Sequence, residues 1–143
     1  MKIAIGADHG GFELKEGLKA FITALGHTVS DVGCYSPDSV HYPEIGKKVV
    51  QAVLGNGVDR GILICGTGIG MSMMANRYKG IRAALCHDGY TARMSREHND
   101  ANVLCMGARV LGVGVAEDMV RIWLNTEFAG GRHACRIAML EDL

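Results

Sequence analysis

The chain of 143 residues has no net charge to offer, with 15 basic side chains balancing 15 acidic ones. Binding to nucleic acid or to an anionic membrane surface normally draws on a basic excess along one face, so neither partner is expected. Any anion bound here must be held by a local arrangement of groups. Long apolar runs are missing too. Residues 61–76, the longest stretch without charge, are too few and too rich in glycine to cross a bilayer. The apolar run at 3–7 is cut off by Asp8, too early for the core of a signal peptide. Cysteine pairs at metal or redox spacing are absent: Cys34, Cys65, Cys86, Cys105 and Cys135 are odd in number and far apart. That argues against a disulfide framework and against a zinc site, and a reducing cytoplasm is the expected setting. None of the six histidines forms a short-spaced pair, so no metal is expected.

What remains is ordinary for one globular domain spanning 1–143, with 48% hydrophobic and 21% charged residues, except that glycine (20) far exceeds proline (2). Glycine in that number points to sharp turns and to backbone that approaches a ligand closely. Short apolar runs at 3–7, 28–32, 61–65, 82–86 and 102–106 read as buried strands. Between them, Leu14, Leu18, Phe21, Ile22 and Leu25 recur at helical spacing, as do Ile45, Val49 and Val53, and later Val115, Met119, Ile122 and Trp123. Gly26 stops the first of these helices, and a last helix is expected over 132–140 after the Gly130-Gly131 break. The alternation predicts a three-layer αβα, Rossmann-like domain with a five-stranded parallel sheet and a C-terminal helix.

In an open parallel sheet ligands bind beyond the carboxyl ends of the strands. Three segments are read as lying there: GADHGG at 6–11, CGTGIG at 65–70, and the stretch 93–101 between the fourth and fifth strands. In the second, Cys65 is followed by Gly66, Gly68 and Gly70, whose backbone N–H groups can cradle an oxyanion and favour a reactive thiolate. A buried structural cysteine beside a tight turn is the competing reading. Cys86 and Cys105, on strands without such a loop, are read as core. A cysteine phosphatase needs arginine at the position of Met71, and a nucleotide-binding P-loop needs Lys where Met71 follows Gly70, so both are excluded. Gly6, Gly10 and Gly11 lack dinucleotide-binding spacing, and Asp31 is only a coincidental match to a ribose-binding acid. Asp8 and His9 fit either a helix N-cap or a ligand contact. Arg132, His133 and Arg136 are suited to a phosphate dianion or to a solvated helix face. His98, within Glu97-His98-Asn99-Asp100, suits acid–base work near neutrality or a plain surface loop.

Taken in order, GADHGGFELK at 6–15, Tyr42-Pro43, CGTGIGMS at 65–72, Ala75-Asn76, GIRAAL at 80–85, REHNDANVL at 96–104 and FAGGRH at 128–133 closely resemble the ribose-5-phosphate isomerase type B family. That family includes galactose-6-phosphate isomerase subunits and allose-6-phosphate isomerases. The resemblance implies aldose–ketose isomerisation of a sugar phosphate through a cis-enediolate, without metal or organic cofactor. It implies Cys65 as general base, Thr67 near the reacting carbons, and His98 opening the furanose ring with Asp8 and Asn99. Tyr42 would line the pocket, Gly66, Gly68 and Gly70 would supply amides, and His9, Arg109, Arg132, His133 and Arg136 would hold the phosphate. A second branch of the family carries its base as Glu at the position of Met71, so Cys65 with Met71 places this sequence in the thiol branch. His41 stands where the family usually has Asp, and Cys135 where a polar or basic residue is common. The family further implies a homodimer or homotetramer with shared sites, in which Asp8, Tyr42 and the Cys65 loop of one chain face His98, Asn99 and Arg109 of another.

Overall fold

The computed structural model describes residues 1–143. Five strands, β1 (Lys2–Ala7), β2 (Thr28–Asp31), β3 (Arg60–Cys65), β4 (Ala83–Leu85) and β5 (Val103–Gly107), pair in parallel in the order β2-β1-β3-β5-β4. Ile5 of β1, an interior strand, lies beside Asp31 of β2 on one side and Ile62 of β3 on the other. Six α-helices complete the fold: α1 (Phe12–Ala24), α2 (Tyr42–Leu54), α3 (Ile69–Ala75), α4 (Gly89–Glu97), α5 (Val113–Asn125) and α6 (Arg132–Glu141).

Successive strand side chains point to opposite faces of the sheet, and both faces are covered, which is why the strands read as unbroken apolar runs. Ile3, Ile5, Ile62, Ile64, Leu104 and Met106 meet Leu18 and Ile22 of α1, Ala92 of α4, and Met119 and Trp123 of α5. On the other face Ala4, Leu63, Cys65 and Cys105 meet Val49 and Val50 of α2 and Met71 and Ala75 of α3. Gly46 lets α2 and α3 approach closely, since a Cβ there would overlap Met74.

The helix α4 corrects the reading of 93–101 as a strand exit. Asp88 caps it, its Oδ1 accepting from the Thr91 N–H at 2.7 Å while Thr91 Oγ1 accepts from the Asp88 N–H, a capping box. A helix that follows a parallel strand runs back along the sheet, so the residues after α4 reach the amino edge. Asn102 marks that edge: its Oδ1 accepts from the Arg82 N–H at 2.9 Å at the foot of β4, and its carbonyl accepts from the Gly61 N–H at 2.9 Å at the foot of β3.

Two buried cations brace the sheet. The side chain of Lys15 is fully buried and donates to Asp31 Oδ2 at 2.6 Å and to Glu16 Oε1 at 3.0 Å, and Lys19 donates to the same Asp31 oxygen at 2.7 Å. Burial works to raise the Asp31 carboxyl, but hydrogen bonds from Lys15, Lys19 and the Gly33 N–H outweigh it and hold the group below the usual carboxylate range. Asp31 is thus a structural anion. Arg60 donates to the carbonyls of Trp123 at 2.8 Å and Leu124 at 3.3 Å, where the last turn of α5 leaves acceptors free and favours a cation.

Candidate active site

The strand order reverses between β1 and β3, and the crevice this creates at their carboxyl ends is where an open α/β sheet takes a ligand. Two loops share it. Asp8, just past β1, is tied to β3 by its N–H to Ile64 O at 3.1 Å. Its Oδ1 accepts from the N–H groups of Gly10 and Gly11 at 2.9 and 3.2 Å, so the N-cap role expected from sequence is present and uses one of its two oxygens. His9 Nδ1 accepts from the Val40 N–H at 3.3 Å, which leaves Nε2 as the donor of the neutral ring.

Cys65 ends β3 and is only 6% exposed. Its Sγ accepts from the Gly68 N–H at 3.1 Å, a bond strengthened when the sulfur is an anion. Gly68 can make this bond because its φ of +78° is open to glycine; a Cβ there would also lie 2.5 Å from Leu85 Cδ1. The N–H groups of Gly66 and Thr67 find no acceptor within the chain, and Gly10 keeps the approach clear, since a Cβ on it would stand 3.3 Å from the Gly66 nitrogen. Thr67 is exposed, and its Oγ1 accepts from the Ile69 N–H at 3.2 Å. The Tyr42 ring covers Gly70, where a Cβ would meet it at 2.8 Å. Burial pushes the thiols of Cys34, Cys86 and Cys105 up; Cys86 and Cys105 lie in the core, as expected from sequence, and Cys135 is exposed on α6.

Arg109 departs from the expected division. Its N–H donates to Gly66 O at 3.0 Å, and a Cβ on Gly66 would lie 3.2 Å from its guanidinium, so it belongs with the Cys65 loop of its own chain. The reason is topological: Arg109 follows β5, whose end lies beside the end of β3. His9 and Arg109 together line a cleft of about 420 Å³ next to this loop.

The remaining predicted residues sit elsewhere. His98 follows α4, and its ring stacks on that of His133 with centroids 4.3 Å apart and planes 13° from parallel. Arg132 and Arg136 flank His133 on α6, and partial removal from water, together with the charges of His98, Arg132 and Arg136, holds the His133 imidazole below its ordinary range. Asn99 O accepts from Arg82 Nε at 3.2 Å. This second group gathers at the amino edge, separated from Cys65 by the six residues of β3, roughly 17 Å of strand. The larger cleft, about 750 Å³, lies beside Asn99 and Arg82, not beside the thiol.

Two arginines that sequence reasoning passed over hold this second group. Arg96 is buried and donates to Asp100 Oδ1 at 2.8 Å and Ala101 O at 2.7 Å, bracing the turn that carries His98 and Asn99. Arg82 reaches Asp100 and, across 59 residues, Glu141. The Asp88–Thr91 capping pattern was a legible signal for α4; no local signal marks Arg82.

The model of the ribose/galactose isomerase family matches residues 3–140. The chain belongs to that family. It is an enzyme, an aldose–ketose isomerase, and its fold is that of solved relatives. It is similar to the ribose-5-phosphate isomerase B of Clostridium thermocellum, with a TM-score of 0.98 and 52% identity covering 99% of this chain and 96% of the other. It is 47% identical to the ribose-5-phosphate isomerase B of Escherichia coli, over 95% of this chain and 91% of that protein. It is also 41% identical to the D-erythrulose-4-phosphate isomerase of Pectobacterium atrosepticum, over 96% and 91%. No helix of this isomerase is long and apolar enough to cross a membrane.

Proposed function

We propose that this isomerase interconverts ribose 5-phosphate and ribulose 5-phosphate through a cis-enediolate, as a step of the pentose phosphate pathway in the cytoplasm. The observation that carries the reading is the thiol of Cys65 at the crevice, followed directly by two uncommitted backbone donors on Gly66 and Thr67. Cys65 Sγ, as thiolate, takes the proton from C2 of the open-chain aldose and returns it to C1. The oxygen that gains charge meets the Gly66 and Thr67 N–H groups, which are fixed before the reaction begins and so stabilise the enediolate more than the substrate. Thr67 Oγ1 lies on the same loop and orients a hydroxyl. His9 and Arg109 hold the phosphate from the cleft they line.

Ring opening needs an acid–base group near neutrality, and His98 is the residue assigned to it, with Asn99 and Asp8 holding hydroxyls. The two edges of the sheet keep His98, Asn99, Arg132, His133 and Arg136 away from the Cys65 of their own chain. This supports a homodimer or homotetramer in which a second copy completes each site. Mixing Cys65→Ala with His98→Ala protein is expected to restore about a quarter of wild-type activity, since half the random dimers are mixed and each carries one intact site of two. If the mixture stays as inactive as its parts while its subunits exchange, the shared site is refuted.

The substrate is tested by turnover of ribose 5-phosphate with purified protein, run beside allose 6-phosphate and galactose 6-phosphate. Turnover of the pentose that exceeds both hexoses is the expected result. Turnover of a hexose phosphate alone would move the pathway assignment and leave the chemistry. The relative named for a four-carbon substrate supports that second reading, in which the family chemistry is kept and sugar length changes. Absence of turnover on all three would favour a non-catalytic sugar-phosphate-binding subunit.

A further inference from the structure

The helix α6 carries three of the cations assigned to phosphate, yet none of its residues is buried. It presents Arg132, His133 and Arg136 in its first turns, with exposed Met139 and Leu140 near its end. Within its own chain, a helix with so little buried surface is oriented by particular contacts, because packing against that chain alone does not fix it. Two such contacts tie it to the body. At its start the His133 ring stacks on His98. At its end Glu141 Oε1 accepts from a terminal nitrogen of Arg82 at 2.6 Å, and both side chains are partly shielded, 21% and 32% exposed.

Arg82 is more than a surface partner for Glu141. Its Nε donates to Asn99 O at 3.2 Å and to Asp100 O at 3.1 Å, and its other terminal nitrogen reaches Asp100 Oδ2 at 3.3 Å. Its backbone N–H is held by Asn102 Oδ1 at 2.9 Å. One guanidinium at the foot of β4 thus joins the turn that carries His98 and Asn99 to the far end of α6. The planar fork allows this, since it can present donors to several acceptors at fixed angles.

We infer that the Arg82–Glu141 pair is a positioning device for phosphate recognition: it sets the tilt of α6, and so where Arg132, His133 and Arg136 stand relative to His98. The inference rests on the isomerase reading above and adds residues that touch neither sugar nor phosphate. With the pin removed at Glu141, α6 keeps its first contact and its helical structure, but its cations sample a wider range of positions. Binding of the phosphate then weakens, while the Cys65 loop, on the opposite edge, is unchanged.

The test is a split between kcat and KM. Glu141→Ala is expected to raise KM for the turned-over sugar phosphate about tenfold while kcat stays within about twofold. Glu141→Gln, which keeps an oxygen for Arg82 but loses the charge, should fall between wild type and Glu141→Ala. A KM within twofold of wild type in Glu141→Ala, or a loss confined to kcat, would overturn the inference. Arg82→Lys serves as a second variant, expected to raise KM because one ammonium cannot serve Asn99, Asp100 and Glu141 together. Should wild type turn over none of the sugars, the isomerase reading fails by itself. Calorimetric affinity for inorganic phosphate then decides the positioning role: weakened binding in Glu141→Ala supports it, and unchanged binding, or none in wild type, overturns it.

Discussion

Cys65→Ala is expected to lower kcat by about a thousandfold or more, within the range that a positioned general base contributes, while KM moves by less than about threefold. The argument rests on where the sulfur sits. It lies at the last position of β3, almost buried, with a backbone donor at 3.1 Å and two free N–H groups on the loop that follows. No second side chain on that loop can take a proton from carbon. Met71, the position at which another branch of the family is expected to carry its base, lies on α3 and is completely buried against α2. Removing one sulfur from a core of this size costs little stability, so the variant should fold and still bind substrate. Steady-state kinetics with an isothermal titration of ribose 5-phosphate separates the two effects. A Cys65→Ala protein that keeps more than a tenth of wild-type kcat would show that another group moves the proton.

Asp31→Asn should destabilise the fold by about 3 kcal/mol, because it leaves the buried Lys15 ammonium without its main counter-ion. The lower end of the range for broken buried pairs applies, since Glu16 Oε1 stays 3.0 Å from the same nitrogen. For a domain of this size that amounts to a fall in Tm of roughly 10 °C. The pH dependence carries a sign that can be checked. Hydrogen bonds hold folded Asp31 below its unfolded value, so its contribution is present above about pH 4 and is lost as pH falls through the folded value. Lys19 is the opposite case. The hydrogen bonds to Asp31 and Glu16 raise it, so its share persists below the unfolded lysine value, about pH 10.4, and fades only as pH rises past the folded one. Thermal melts of wild type and Asp31→Asn should therefore run parallel from pH 6 to 8 and converge below pH 4. A gap that is unchanged at pH 3 would mean that the ion pair is not the source of the loss.

The local devices of this protein were legible in its sequence because each depends on residues close together in the chain. The five apolar runs became the five strands, Gly26 and the Gly130-Gly131 pair fell at helix boundaries, and the alternating glycines after Cys65 became the loop that presents free donors. Asp8 as an N-cap was equally readable, since it needs only the N–H groups of the next three residues. Membership of the isomerase family followed from the order of such strings along the chain.

What only the tertiary structure decided was the edge of the sheet each segment reaches. Residues 93–101 and Arg109 both flank β5, yet the first lies at its foot with Asn102 and the second past its top against Gly66. A strand has two ends and a helix reverses the chain, so sequence distance says nothing of which end a residue meets until the order of strands is known. The same holds for Asp31, by spacing only a coincidental match to a ribose-binding acid, which becomes the anion for Lys15 once β2 and α1 pack together. It holds for Arg82 too, whose partner Glu141 is 59 positions away. Contacts of that range are set by topology and burial, whereas strands, caps and glycine turns are set by the dihedral preferences and hydrogen bonds of neighbours.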